Sequence, residues 1–140
     1  MGKSADEADY GVELTDEKKH EYITGFLKYA GQRLHASGCA VTADVFGTVI
    51  GSAVDVQRVG QDYAELGGIA DGLSPMVYPS HYANGVFGLE VPDAYPYETV
   101  NAALKRSKEV LAALPENQQA VIRPWLQAFT ATWVNGHITY

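Results

Sequence analysis

Ser74-Pro75-Met76-Val77-Tyr78-Pro79-Ser80-His81-Tyr82 begins as an apolar strand and ends as a cluster of hydrogen-bonding side chains. Met76 and Val77 belong in a core. Tyr78, Ser80, His81 and Tyr82 then bring phenols, a hydroxyl and an imidazole into one short exit. Pro79 has no N–H to donate, so strand pairing stops there. A buried strand opening abruptly into a polar, aromatic loop is a common way for α/β proteins to build a site. It is also compatible with an ordinary strand exit whose tyrosines are packed as amphipathic filler.

Similar strands are expected on either side of it. Cys39 to Phe46 reads as a mostly buried strand ending near Asp44, and Ala120 to Phe129 as a third strand with its exit. Between them lie helical patterns. Thr15 can cap a first helix, with Asp16 and Glu17 complementing its dipole. Tyr22, Ile23, Phe26, Leu27, Ala30 and Leu34 give that helix an apolar stripe, and Ser37-Gly38 ends it. A second helix is expected over Val59 to Ile69, weakened at Gly67-Gly68. The third starts at Pro96, carries Val100, Ala103, Leu104, Ser107, Val110, Leu111 and Leu114, and stops at Pro115. Gly47 to Asp55 reads as small and flexible, Pro79 to Tyr95 as a long polar loop, and Thr130 to Tyr140 as irregular. Residues 1–13 are charged and expected to be loose.

The order is α-β-α-β-α-β, which implies an α/β fold with parallel strands joined by right-handed crossovers. Parallel sheets need both faces covered. Three strands are few for that, and a (β/α)8 barrel takes about 250 residues. The expectation is therefore a partial (β/α)8 barrel over residues 14–140, truncated at both ends. The alternative is a small three-layer α/β domain.

The chain has 140 residues, 46% of them apolar and 19% charged, in keeping with one globular domain. Its net charge of −7 argues against a nucleic-acid partner, because phosphate backbones call for clustered Lys and Arg. No apolar run approaches bilayer length, so membrane insertion is not expected. The acidic start, Met-Gly-Lys-Ser-Ala-Asp-Glu, is no signal peptide. Asp6 stands where a myristoylated Gly2 would need Ser or Thr later in its motif. The lone Cys39 excludes an internal disulfide and is expected to be buried and inert. The four histidines lack metal-ligand spacing, and neither a nucleophile elbow nor a nucleotide fingerprint is present. No cofactor is expected.

Each strand leaves polar residues at its C-terminal end. The first leaves Asp44, the second Tyr78, Ser80 and His81, and the third Arg123, Trp125 and Gln127. In parallel α/β folds these ends share one face. Polar groups for sugar hydroxyls and aromatic rings for sugar C–H faces would suit a carbohydrate, with Trp125, Tyr78 and Tyr82 as platforms. Each residue also has a plain structural reading. Asp44 can cap a turn, Arg123 can form an ion pair, His81 can bind a backbone carbonyl and Trp125 can sit in the core. The loop acids Glu90 and Asp93 are expected to be solvated.

The sequence resembles the bacterial putative glycosyl hydrolase family of TIM barrels, first defined as a domain of unknown function. The likeness is carried by Val-Thr-Ala-Asp-Val-Phe-Gly (41–47), residues 74–82, Phe-Gly-Leu-Glu-Val-Pro-Asp-Ala-Tyr-Pro-Tyr-Glu-Thr-Val (87–100) and Arg-Pro-Trp-Leu-Gln (123–127). It implies that the strands are late ones of a barrel, about the fifth to seventh. It also implies an acidic strand upstream, a closing strand downstream and a polysaccharide substrate, of an envelope or extracellular kind. Asp44 maps onto a candidate active-site carboxylate. Tyr78, His81, Arg123, Trp125 and Gln127 map onto the other strand exits, with Tyr82 beside them. Glycoside hydrolysis usually employs two carboxylates, and only Asp44 is well placed. The resemblance thus predicts a fragment inactive by itself, prone to self-association through open sheet edges. The second expectation is a non-catalytic carbohydrate-binding or structural domain.

Overall fold

A computed structural model describes residues 9–140. Most of the expected loose segment 1–13, and Gly2 with it, lies outside the described residues. The chain runs α1 (Asp16–His35), β1 (Thr42–Phe46), α2 (Ala53–Val59), α3 (Tyr63–Gly67), β2 (Gly72–Val77), α4 (Pro96–Leu111), β3 (Val121–Ile122) and β4 (Trp125–Leu126). The strands form one parallel sheet with β2 in the centre, β1 on one side, and β3 and β4 on the other. β3 and β4 are two segments of one strand, interrupted at Arg123 and Pro124. The sheet does not close into a barrel.

Register fixes the two faces. Asp44 pairs with Ser74, Phe46 with Met76, and Met76 with Trp125. Side chains alternate along a strand, so Val45, Leu73 and Val77 share the opposite face. They are 1%, 0% and 0% exposed, and they join Leu27, Leu66, Ala103 and Leu111 of the helices in one core. The face with Thr42, Asp44, Phe46, Val121, Arg123 and Trp125 is open to solvent. The strand order follows chain order, and right-handed crossovers stepping the same way place successive helices on one face. A three-layer sandwich would have covered both.

α1 begins as the sequence indicates, with the Thr15 hydroxyl accepting from Lys18 N–H. Its buried side is Thr24, Leu27 and Gly31, narrower than the expected stripe. Tyr22 and Phe26 project outward, 56% and 72% exposed. α4 has Pro96 in its first turn and buries Thr99, Ala103, Ser107 and Leu111. Tyr63 and Ser107 share a 2.5 Å hydrogen bond between α3 and α4, and burial raises the Tyr63 pKa.

Four local expectations are corrected. The single helix over Val59 to Ile69 is two helices. Gly60 ends α2 in the left-handed region at φ 73°, and Asp62 caps α3 through Glu65 N–H. A Cβ on Gly60 would also strike the α1 backbone, 2.8 Å from the Lys19 carbonyl carbon. The stretch Gly47 to Asp55 is ordered into a helical turn, Gly47–Ile50, with Val49 and Ile50 in the core, followed by the start of α2. The first strand starts at Thr42 rather than Cys39. Cys39 is exposed instead of buried, because it precedes the sheet.

Asp71 pins the N-terminal end of the sheet. Its Oδ2 accepts from Val41 N–H at 2.6 Å and pairs with His35 Nε2 at 2.7 Å. The Val41 bond, then the His35 bond, holds the Asp71 carboxyl below its usual pKa. A carboxyl depressed on folding adds stability above its unfolded pKa, which is lost as pH falls through the folded value. Thermal melting followed from about pH 6 to about pH 2 should therefore show an acid-side loss that Asp71→Asn reduces. Parallel acid profiles for the two proteins would refute this role.

Candidate functional site at the strand C-termini

The C-terminal ends of β1 and β2 open into a cleft of about 570 Å³. Its walls are Phe46 and Asp55 from the β1 side and Tyr78, His81, Tyr82 and Phe87 from the β2 exit. Three of these, Tyr78, His81 and Tyr82, are expected from the sequence. Phe46, Asp55 and Phe87 are not, because no local pattern marks them. Phe87 holds a left-handed backbone at φ 58°, the only non-glycine residue to do so among the described residues. Such strain persists where surrounding structure enforces it. Its ring packs on Tyr82 at 5.4 Å between centroids.

Gly47 forms the cleft floor. A Cβ there would run into the Met76 carbonyl oxygen and sit 2.7 Å from the Tyr82 hydroxyl. The absence of a side chain is what lets β1 turn away so close to β2. Tyr82 is 8% exposed, and its hydroxyl has no partner among the described residues. Burial raises its pKa strongly, so it remains a neutral phenol.

On the open sheet face, Trp125 Nε1–H donates to Asp44 Oδ1 at 3.1 Å across 81 residues of sequence. The bond spans the central strand, joining the two flanking ones. The Asp44 carboxylate makes no other hydrogen bond among the described residues, which leaves its second oxygen free for a ligand. Trp125 is 54% exposed, so it is not a core residue. Arg123 is exposed on the same face, in the register row of Ser74 and Asp44 and two strands from Asp44. Its backbone N–H binds Leu73 O, and its guanidinium forms no ion pair among the described residues.

Gln127 is placed differently. It is 7% exposed and uses both ends of its amide within the chain. Oε1 accepts from Ser80 N–H at 3.1 Å and from the Ser80 hydroxyl at 2.9 Å. Nε2 donates to Phe129 O at 2.9 Å and to Asp93 Oδ1 at 3.3 Å. It thereby ties the β2 exit to the β4 exit. The expected polar loop is also tighter than its composition indicates, with short helical turns at Pro79–His81, Val86–Gly88 and Pro92–Ala94.

Asp93 overturns the expectation of a solvated loop acid. It is 1% exposed because Pro92 and Asp93 fold under the start of α4, where Thr99 Oγ1 binds Pro92 O at 2.9 Å. No hydrogen bond of good geometry reaches Asp93 Oδ2. The Tyr140 phenol is nearby: burial first, then the Asp93 charge, raises its pKa. Tyr78, His81 and Phe129 complete an edge-packed aromatic trio at 5.4–6.1 Å. Phe129 in turn stacks on Trp133 at 6.5 Å.

Among the described residues no His, Cys, Asp and Glu group could hold a metal, and no helix is long and apolar enough to cross a membrane. The chain matches the putative glycosyl hydrolase domain family over residues 2–140, and it belongs to that family. Neither curated proteins nor solved structures give a significant match. Family membership implies a carbohydrate substrate.

Proposed function

We propose that this domain is part of a glycoside hydrolase acting on a polysaccharide, with Asp44 as the carboxylate at the reacting bond. The observation that carries this is the Trp125–Asp44 pair on an uncovered sheet face beside an aromatic cleft. An indole N–H fixes one carboxylate oxygen, and the other is available for proton transfer or charge stabilisation. Tyr78 and Trp125 stack on sugar faces, while His81 and Arg123 bind hydroxyls. Tyr82, expected as a third platform, is buried and supports the cleft wall from beneath. Gln127 serves the same site by holding the β2 exit in place. The substrate class fits an enzyme acting on envelope or extracellular material.

Residues 14–140 are, in this proposal, three consecutive strands and their helices from a (β/α)8 barrel. Three features support it: neighbours in chain order, helices on one face, and an opposite face of mixed polar and aromatic residues that would turn inward in a closed barrel. The open edges of β1 and of β3 and β4 would then pair with further strands. By itself the chain is expected to self-associate through them. A concentration-independent monomer in sedimentation equilibrium would sink this part of the proposal.

One observation favours a non-catalytic, carbohydrate-binding reading. Asp44 is the only carboxylate on the open face of these strands, whereas hydrolysis usually employs two. The two readings separate when the protein carrying this domain is given a panel of polysaccharides. Reducing ends released by the protein support the hydrolase. Saturable glycan binding without release supports the binding module. Neither binding nor release refutes both.

A further inference from the structure

Ser80 Oγ lies 2.9 Å from Gln127 Oε1 and 3.0 Å from His81 Nδ1. A hydroxyl has one proton to give. The Gln127 amide is not free to turn. Its nitrogen faces two acceptors, Phe129 O and Asp93 Oδ1, and its oxygen faces a donor, Ser80 N–H. Turning it over would set oxygen against oxygens and NH₂ against N–H. Oε1 therefore faces the Ser80 hydroxyl. Two oxygens at 2.9 Å need a proton between them, and a neutral amide oxygen has none, so Ser80 supplies it.

The Ser80 oxygen then has only lone pairs left for His81. His81 Nδ1 must be the donor. In the neutral ring this leaves the lone pair on Nε2, which has no hydrogen-bond partner among the described residues. His81 is exposed and lines the cleft.

We propose that Asp93, Gln127 and Ser80 are positioning residues that keep the His81 proton on Nδ1, so that Nε2 accepts a hydrogen bond from a ligand hydroxyl in the cleft. The hydroxyl's identity rests on the carbohydrate reading above, but the tautomer does not. It reverses the preference of free histidine, whose neutral ring favours Nε2–H. It also gives buried Asp93 a role, since its carboxylate is one of the acceptors that set the amide.

Nitrogen-15 NMR of the histidine-labelled chain tests this, with His81 assigned by its loss in His81→Gln. Spectra are taken above about pH 8, where an ordinary imidazole is neutral. The wild-type ring should be mainly Nδ1–H. Ser80→Ala should shift the tautomer ratio toward Nε2–H by about fivefold, as for one lost hydrogen bond. Ser80→Thr, which keeps the hydroxyl, should restore it. A wild-type ring mainly protonated on Nε2, or an unchanged ratio in Ser80→Ala, overturns the proposal. Failure to bind or cleave any glycan would instead count against the proposed function and leave the tautomer result standing.

Discussion

Asp44→Asn should reduce polysaccharide hydrolysis by about 10²- to 10⁴-fold in the protein carrying this domain, the usual range for losing a positioned acid or base. The substitution is nearly isosteric. If the Asn amide oxygen faces Trp125 Nε1, the indole bond survives and the site geometry is kept. What disappears is the ability to hold or release a proton. Glycan affinity should change far less than turnover, because the stacking residues and Arg123 are untouched. Turnover is measured from initial rates of reducing-end release and affinity by calorimetry. Unchanged hydrolysis would remove Asp44 from the chemistry and move attention to Asp55 in the cleft wall.

Gly47→Ala should destabilise the domain by about 2–3 kcal/mol, at the upper end of overpacking costs. The new methyl would meet main-chain atoms of Met76, which cannot rotate away as a flexible side chain could. Relief requires β1 and β2 to part at the point where their pairing ends, beneath Tyr82. Equilibrium urea denaturation gives the number. A loss below about 0.5 kcal/mol, typical of neutral surface changes, would mean that the strands separate there at little cost. Gly51→Ala is the control, since a Cβ at Gly51 meets nothing within 4 Å and its φ is −131°.

The sequence-level expectations succeeded where short-range chemistry sets the outcome. The α1 cap at Thr15 and the α4 start at Pro96 follow from side-chain hydrogen bonding and a fixed φ, and both are in place. The apolar run before Pro79 is a buried parallel strand, as its composition indicates. The break between α2 and α3 was also written locally, in a glycine followed two residues later by a capping aspartate. It was obscured by the helical spacing of apolar residues on either side. The narrower buried stripe of α1 was not available locally, because outward Phe26 is as apolar as inward Leu27 and Tyr22 is amphipathic enough to fit either side.

The candidate site divides the same way. Tyr78, His81, Tyr82 and Gln127 were legible as residues just past a strand end, since polarity following an apolar run is a local signal. Asp44 lies instead in the middle of β1, Trp125 within β4 and Arg123 between β3 and β4, rather than at strand exits. Their assignments to one another were not legible. Nothing in the composition of the loop 79–95 shows that Asp93 is buried. That follows from α4 closing over it and from Gln127, 34 residues away, reaching it.

By itself, then, the amino-acid sequence determined the alternation of helices and parallel strands, the family, and the polar ends of the strands. Periodicity, capping and strand punctuation act between residues a few positions apart. Tertiary structure alone decided which sheet face stays open, that Trp125 reaches over the central strand to Asp44, and that Gln127 is a buried tie. Those outcomes depend on strand register and on helices stacking to one side, and both are set by contacts between residues distant in the chain.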